Sequence, residues 1–272
     1  MKKAIVMGAT SGMGLKVARL LLQKGWQIGA AGRRLNELQQ LQAEFPNQVK
    51  IQAIDVTKDE AAPQLRELIA QMGGVDLYFH SSGYGAQNKH LDAEVELKTM
   101  QTNAVGFTRM VGEAYRYFRD DCGGVGHIAI ISSVAGTKGL GAAPAYSATK
   151  RMQNTYIQCL AQRTHADGLK IGFTDIRPGF VATDFLAGDS YPMLMSADFV
   201  AEKIVGALEA KKRKVVIDWR YSLVVKFWRL IPDCIWESVF AKVIKWFFLD
   251  NPFYWKLFDY FYWRILWANF LG

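Results

Sequence analysis

Tyr146 and Lys150 stand four residues apart in "AYSATKR", a spacing that sets both side chains on one face of a helix. A lysine cation beside a phenol favours the phenolate. The pair therefore predicts a tyrosine pKa drawn from about 10 toward the range of a general acid or base. Ser133 follows the apolar run "GHIAIIS" and precedes Tyr146 by thirteen residues. If that run is a strand of a parallel sheet, Ser133 lies at the carboxyl edge, where such sheets bind ligands. Metal chemistry is not indicated, because His90, His127 and His165 are scattered without an H-x-x-H spacing. Cys122, Cys159 and Cys234 are odd in number and far apart, which suggests neither a disulfide framework nor a zinc site and fits a reducing compartment.

A second constellation opens the chain. "KKAIVM" reads as a buried strand and is followed by "GATSGMG", in which Gly8, Gly12 and Gly14 alternate with Thr10, Ser11 and Met13. Glycines at this spacing let the backbone turn tightly and approach a pyrophosphate, whose charge the amides and dipole of the next helix would meet. The end of the second strand distinguishes the two nicotinamide dinucleotides. "AAGRRLNEL" offers Arg33 and Arg34 and no carboxylate before Glu37. Two guanidiniums suit a 2′-phosphate that an acid would repel, so NADP is expected over NAD.

The elements that must position these groups alternate β-branched runs with helical patterns, as in βαβ units. Strands are expected at "KKAIVM", "WQIGAAG", "VKIQAIDV", "VDLYFHS", "GHIAIIS", "LKIGFTDIRPG" and "KVVID", with a first helix over 15–23. The expected fold class is α/β: a Rossmann-like doubly wound parallel sheet with helices on both faces, plus C-terminal amphipathic helices.

Composition divides the 272 residues further. The net charge is +8, yet residues 211–272 carry eleven basic and five acidic side chains, and seven of the eight tryptophans, all but Trp26, lie there too. The expected domains are 1–218, dinucleotide-binding and catalytic, and 219–272, an aromatic, basic, helical extension. Polar residues from Asp218 onward recur at helical steps, Pro232 breaks the first helix, and Asn251 with Pro252 restarts another. Charges interrupt every apolar run, so no membrane span is expected. The aromatic face would meet an anionic membrane surface, cover the substrate pocket or form a subunit contact. Nucleic acid explains so many tryptophans poorly. The two lysines and few apolar residues before the glycines are too short for an export signal, so the expected location is cytoplasmic, with peripheral membrane contact as an option.

The whole set resembles the short-chain dehydrogenase/reductase family, NADP-preferring, carrying an extended aromatic tail. The matching motifs are the glycine loop, Asp55-Val56, "NAVG" from Asn103, Ser133, Tyr146 with Lys150, and "PGFVAT" from Pro178 to Thr183. The resemblance implies that Tyr146 is the general acid, Ser133 bonds the substrate oxygen, and Lys150 lowers the tyrosine pKa and holds the nicotinamide ribose. It implies that Asn103 anchors a water linking Lys150 to solvent and that Asp55, beside Val56, bonds adenine. Ser11, Arg33 and Arg34 would meet the NADP phosphate, Gly83 would keep the turn after the fourth strand, and Pro178, Gly179, Val181 and Thr183 would flank the cofactor. "HSSG" departs from the family's Asn-Asn-Ala-Gly, which leaves His80 either a packed side chain or a second proton carrier.

The expected function is NADPH-dependent reduction of a ketone to a secondary alcohol. The apolar residues Phe185, Leu186, Tyr191, Met193, Leu194 and Met195 suggest a lipophilic, long-chain or sterol-like substrate. The alternative is a non-catalytic NADP-binding adaptor that docks through its tail. Partners expected are a small ketone or alcohol and, by the resemblance, further copies of the chain.

Overall fold

The computed structural model describes residues 1–183, 191 and 193–238. Its centre is the strand β1 (Lys3–Met7), whose side chains alternate between two cores: Ala4 and Val6 enter one, Ile5 and Met7 the other. A strand buried on both faces must be covered by helices on both sides. The chain supplies them in turn, as α1 (Gly12–Gln23), β2 (Gln27–Gly32), α2 (Leu35–Glu44), β3 (Val49–Ala53), α3 (Ala61–Gln71) and β4 (Leu77–His80). Next comes α4 (Ala93–Met100), continued through a π-helical segment, Gln101–Gly106, into α5 (Phe107–Asp120). Then follow β5 (Val125–Ile131), α6 (Pro144–Ala166) and β6 (Lys170–Pro178). The short strands β7 (Val181–Ala182) and β8 (Met195–Ser196) pair with each other before α7 (Ala197–Glu209), β9 (Lys214–Ile217), α8 (Trp219–Leu230) and α9 (Asp233–Ser238).

Seven strands form one parallel sheet in the order β3-β2-β1-β4-β5-β6-β9. The order reverses between β1 and β4, so a crevice opens at their carboxyl ends. Helices α1, α2, α7 and α8 pack one face through residues such as Leu21, Leu38, Ile204 and Val225, and α3, α5 and α6 pack the other through Leu65, Phe118 and Ile157.

The expected Rossmann-like sheet is observed, with two differences. Helix α1 begins at Gly12, inside the glycine loop, where the poor helix propensity of glycine hides its first turn. Helix α8, in the stretch set apart by composition, also shares the body's core: Tyr221 and Val225 are 3% and 5% exposed. Gly179 makes that packing possible, since a Cβ there would lie 2.1 Å from the Tyr221 ring. The Tyr221 hydroxyl accepts from Phe180 N (3.1 Å) and donates to the Met193 carbonyl (3.2 Å). Pro232 separates α8 from α9 as expected. The helix expected from Asn251 lies outside the described residues. Among the described residues no helix is long and apolar enough to cross a membrane.

Candidate active site

One cleft of about 1190 Å³ runs along the carboxyl edge of the sheet, and every residue expected at the site except Gly14 and Asn103 lines it. At one end stands the glycine loop. Gly8 has φ +95°, a conformation side chains disfavour, and a Cβ on it would lie 2.7 Å from Ser82 N after β4. Gly14 misses the cleft because it serves packing: its Cβ would lie 2.1 Å from the Gly8 carbonyl oxygen. The two glycines thus let the loop and α1 close into a cradle of main chain that fits a pyrophosphate. Ser11 N-caps α1 without spending its side chain on the cap.

The basic pair flanks this cradle. Arg34 donates from Nη2 to Thr10 Oγ1 (3.1 Å), and Arg33 lines the cleft beside it. Asp55 accepts from Thr57 N (3.0 Å) and Thr57 Oγ1 (2.8 Å). Burial pushes its carboxyl up, but the Thr57 bonds and the Arg33 charge outweigh it, and the net pKa is lowered.

At the other end Ser133 leaves β5 and Tyr146 leaves the first turns of α6, which Pro144 starts. Ser133 Oγ accepts from Ala135 N (3.1 Å), which fixes its direction, and Ser133 and Tyr146 share a hydrogen bond. Lys150 is 4% exposed, lies 5.6 Å from the Tyr146 ring centroid, and donates to the Ile131 carbonyl (3.0 Å) and Gln153 Oε1 (3.1 Å). Burial lowers the Lys150 ammonium to about 8, against the pull of the Asp175 carboxylate. The Tyr146 phenol does not follow the expectation of a lowered pKa. Burial pushes it up, and the Ser133 bond offsets only part of that. The protein alone therefore keeps Tyr146 protonated, the form a proton donor needs.

Beyond this pair the cleft is roofed by the tail. Tyr221, Val224 and Trp228 of α8 and Trp236 of α9 line it, together with Tyr191 and Met193. Trp236 donates from Nε1 to the Gly139 carbonyl (2.7 Å) and meets Trp228 edge to face at 5.2 Å. Lys138 pairs with Asp233 and lies over the Trp236 ring. Of the apolar residues expected to choose the substrate, Tyr191 and Met193 line the cleft, Leu194 is exposed, and Met195 is buried in the sheet-side core. Phe185 and Leu186 lie outside the described residues.

The short chain dehydrogenase family pattern matches residues 2–191. The chain belongs to the short chain dehydrogenase family. It is therefore an enzyme, an NAD(P)-dependent oxidoreductase, and the adaptor alternative is set aside. A Myxococcus xanthus protein described as an uncharacterized oxidoreductase is 29% identical over 250 residues, 89% of this chain and 97% of that one. A Staphylococcus aureus protein of the same description is 30% identical over 217 residues, 78% of this chain and 92% of its own. Among solved structures, ElxO with NADP bound superposes with TM-score 0.71 at 20% identity, covering 81% of this chain and 98% of that one. An alcohol dehydrogenase from Thermococcus sibiricus complexed with 5-hydroxy-NADP gives 0.70 at 21%, covering 81% and 97%. At these identities the likeness to solved structures is one of fold.

Against the family pattern, the dehydrogenase shows one local departure, at His80. His80 is 1% exposed, its Nδ1 is 2.8 Å from the Tyr78 hydroxyl, and its ring meets Phe107 edge to face. Burial, reinforced by the Lys150 charge, lowers its pKa to about 3, so it is a packed neutral ring and not a proton carrier near neutrality. Asn103, expected to anchor a water, presents its carbonyl to Gln153 Nε2 at 2.9 Å. Sequence reading missed Gln153 and the buried set Ser132, Asp175 and Arg177, in which Ser132 Oγ and Arg177 Nη2 each donate to Asp175 at 2.5 Å. The available signal was polarity itself, in "MQN" on the sheet-facing side of α6 and "TDIRP" in the buried strand β6.

Proposed function

We propose that this dehydrogenase reduces a lipophilic ketone, long-chain or sterol-like, to a secondary alcohol with NADPH. The observation that carries the reading is the apolar roof of Tyr191, Met193, Val224, Trp228 and Trp236 on the cleft that Ser133, Tyr146 and Lys150 line. NADPH, when bound, supplies a hydride to the carbonyl carbon. Tyr146 gives its phenolic proton to the carbonyl oxygen, which the Ser133 hydroxyl also bonds. Lys150 stabilises the phenolate that remains and turns its remaining donor to the cofactor ribose. Asn103 supports Lys150 from outside the cleft.

Preference for NADP is supported by Arg33 and Arg34 at the end of β2, by the lack of a carboxylate there, and by NADP ligands in two solved proteins of this fold. Asp55 and Val56 would flank the adenine, and Gly83, Pro178, Gly179, Val181 and Thr183 the nicotinamide side. In this reading the enzyme works in the cytoplasm as a homo-oligomer, a contact supported by exposed Leu97, Met100 and Val105 along α4 and the π-helical segment. Peripheral contact of residues 219–272 with an anionic membrane is supported by Trp219, Leu223, Phe227 and Leu230, an exposed stripe on α8 beside Lys226.

The test is NADPH oxidation by the purified protein and by Tyr146→Phe across long-chain and cyclic ketones. The expected result is turnover that Tyr146→Phe reduces by about 10²–10⁴-fold. Equal NADPH consumption by both proteins, or none by either across the panel, would overturn the reading.

A further inference from the structure

Gln153 lies three residues after Lys150 on α6 and is 0% exposed. A buried amide needs partners at both ends. Its Oε1 accepts from Lys150 Nζ (3.1 Å) and its Nε2 donates to the Asn103 carbonyl (2.9 Å). Only one orientation satisfies both, because the flipped amide would set NH₂ against an ammonium and oxygen against oxygen. Asn103 cannot yield, since its Oδ1 accepts from Tyr84 N (2.8 Å) and its Nδ2 donates to the Tyr84 carbonyl (2.6 Å) and Thr149 Oγ1 (3.2 Å). A bridge of fixed polarity therefore runs from Lys150 through Gln153 to the π-helical segment.

The charged and titratable groups around the Lys150 ammonium come from three elements. Tyr146 lies on its own helix, Asp175 on β6 is already tied to Arg177 and Ser132, and His80 on β4 is buried and neutral. Gln153, which does not titrate, is in direct contact with the amine. Its carbonyl dipole favours the charged amine, whereas burial opposes it.

We propose that Gln153 is a positioning residue for the proton step, whose amide pins the Lys150 ammonium against Asn103 and sets the pH at which that ammonium is lost. The proposal rests on the role of Lys150 beside Tyr146, but the effect on the amine is measurable without a substrate. Gln153→Met keeps the length and removes both bonds. Gln153→Glu keeps the acceptor and adds charge.

Both full-length variants are compared with the unaltered protein in the pH dependence of Lys150 acetylation by acetic anhydride, read by peptide mass spectrometry. The labelling midpoint is expected to fall by about half a pH unit or more in Gln153→Met and to rise in Gln153→Glu. With a reducible ketone, the alkaline limb of kcat moves in the same directions while KM stays within about twofold. Midpoints that coincide with the unaltered protein overturn the proposal. Failure of both variants to fold overturns it as well, since the amide would then serve structure alone. If no ketone is reduced, the proposed function falls, yet the labelling midpoints still decide the role of Gln153.

Discussion

In the proposed site, the phosphate end of the cleft is largely main chain from one stretch, Gly8 to Arg34, whereas the substrate end is made of side chains from segments far apart. Trp236 and Gly139, whose hydrogen bond seats the roof, are 97 residues apart in sequence. The first end is specified by local backbone geometry, with Gly8 at positive φ and Gly14 against the Gly8 carbonyl. The second depends on packing, through Gly179 against Tyr221 and Lys138 over the Trp236 ring. One end is therefore brittle to single atoms, and the other is adjustable.

This contrast would break first at the glycines. Gly14→Ala puts a methyl 2.1 Å from the Gly8 carbonyl, and NADPH affinity, followed by cofactor fluorescence, is expected to fall by more than about 100-fold. Replacing Arg33 and Arg34 together by alanine removes two exposed charge-assisted bonds, each worth about 1.5 kcal/mol. It should weaken NADPH by about 100-fold while leaving NADH almost unchanged, as competitive titration would show. At the substrate end, Trp236→Ala should raise the ketone KM by about tenfold and leave the NADPH dissociation constant alone. Equal losses in both would erase the distinction between the ends.

An effect of similar size comes from pH. The folded-state pKa of Lys150 is lowered, so above about 8 the ammonium is lost and reduction is expected to fall by about tenfold per pH unit. The linked stability runs the other way: between about 8 and the ordinary lysine value the unfolded chain binds the extra proton, so this group adds stability as pH rises. Denaturant titrations at several pH values separate the two. The smallest change is expected from Lys138→Met, which breaks a pair with the exposed Asp233 and should leave the urea unfolding midpoint almost unchanged.

The same contrast explains what could be read from the sequence. Gly8, Gly12, Gly14, Arg33 and Arg34 announce themselves because their chemistry is local, and the i, i+4 pair of Tyr146 and Lys150 is local as well. The bond from Gln153 to the Asn103 carbonyl and the bond from Ser132 to Asp175 exist only once the π-helical segment, β5, β6 and α6 lie side by side. Within the described residues, α8 was legible as helix from the spacing of its charges, but the composition of the stretch suggested an appendage. Tyr221, buried over Gly179, packs α8 against the body.

The bond from Trp236 to the Gly139 carbonyl also joins two quantities usually measured apart. A ligand that presses on Trp228 and Trp236 stabilises α9 against opening, and by thermodynamic reciprocity whatever steadies α9 tightens the ligand by the same factor. Amide hydrogen exchange across Asp233–Ser238, recorded with and without a ketone, then becomes a readout of substrate affinity that needs no turnover at all.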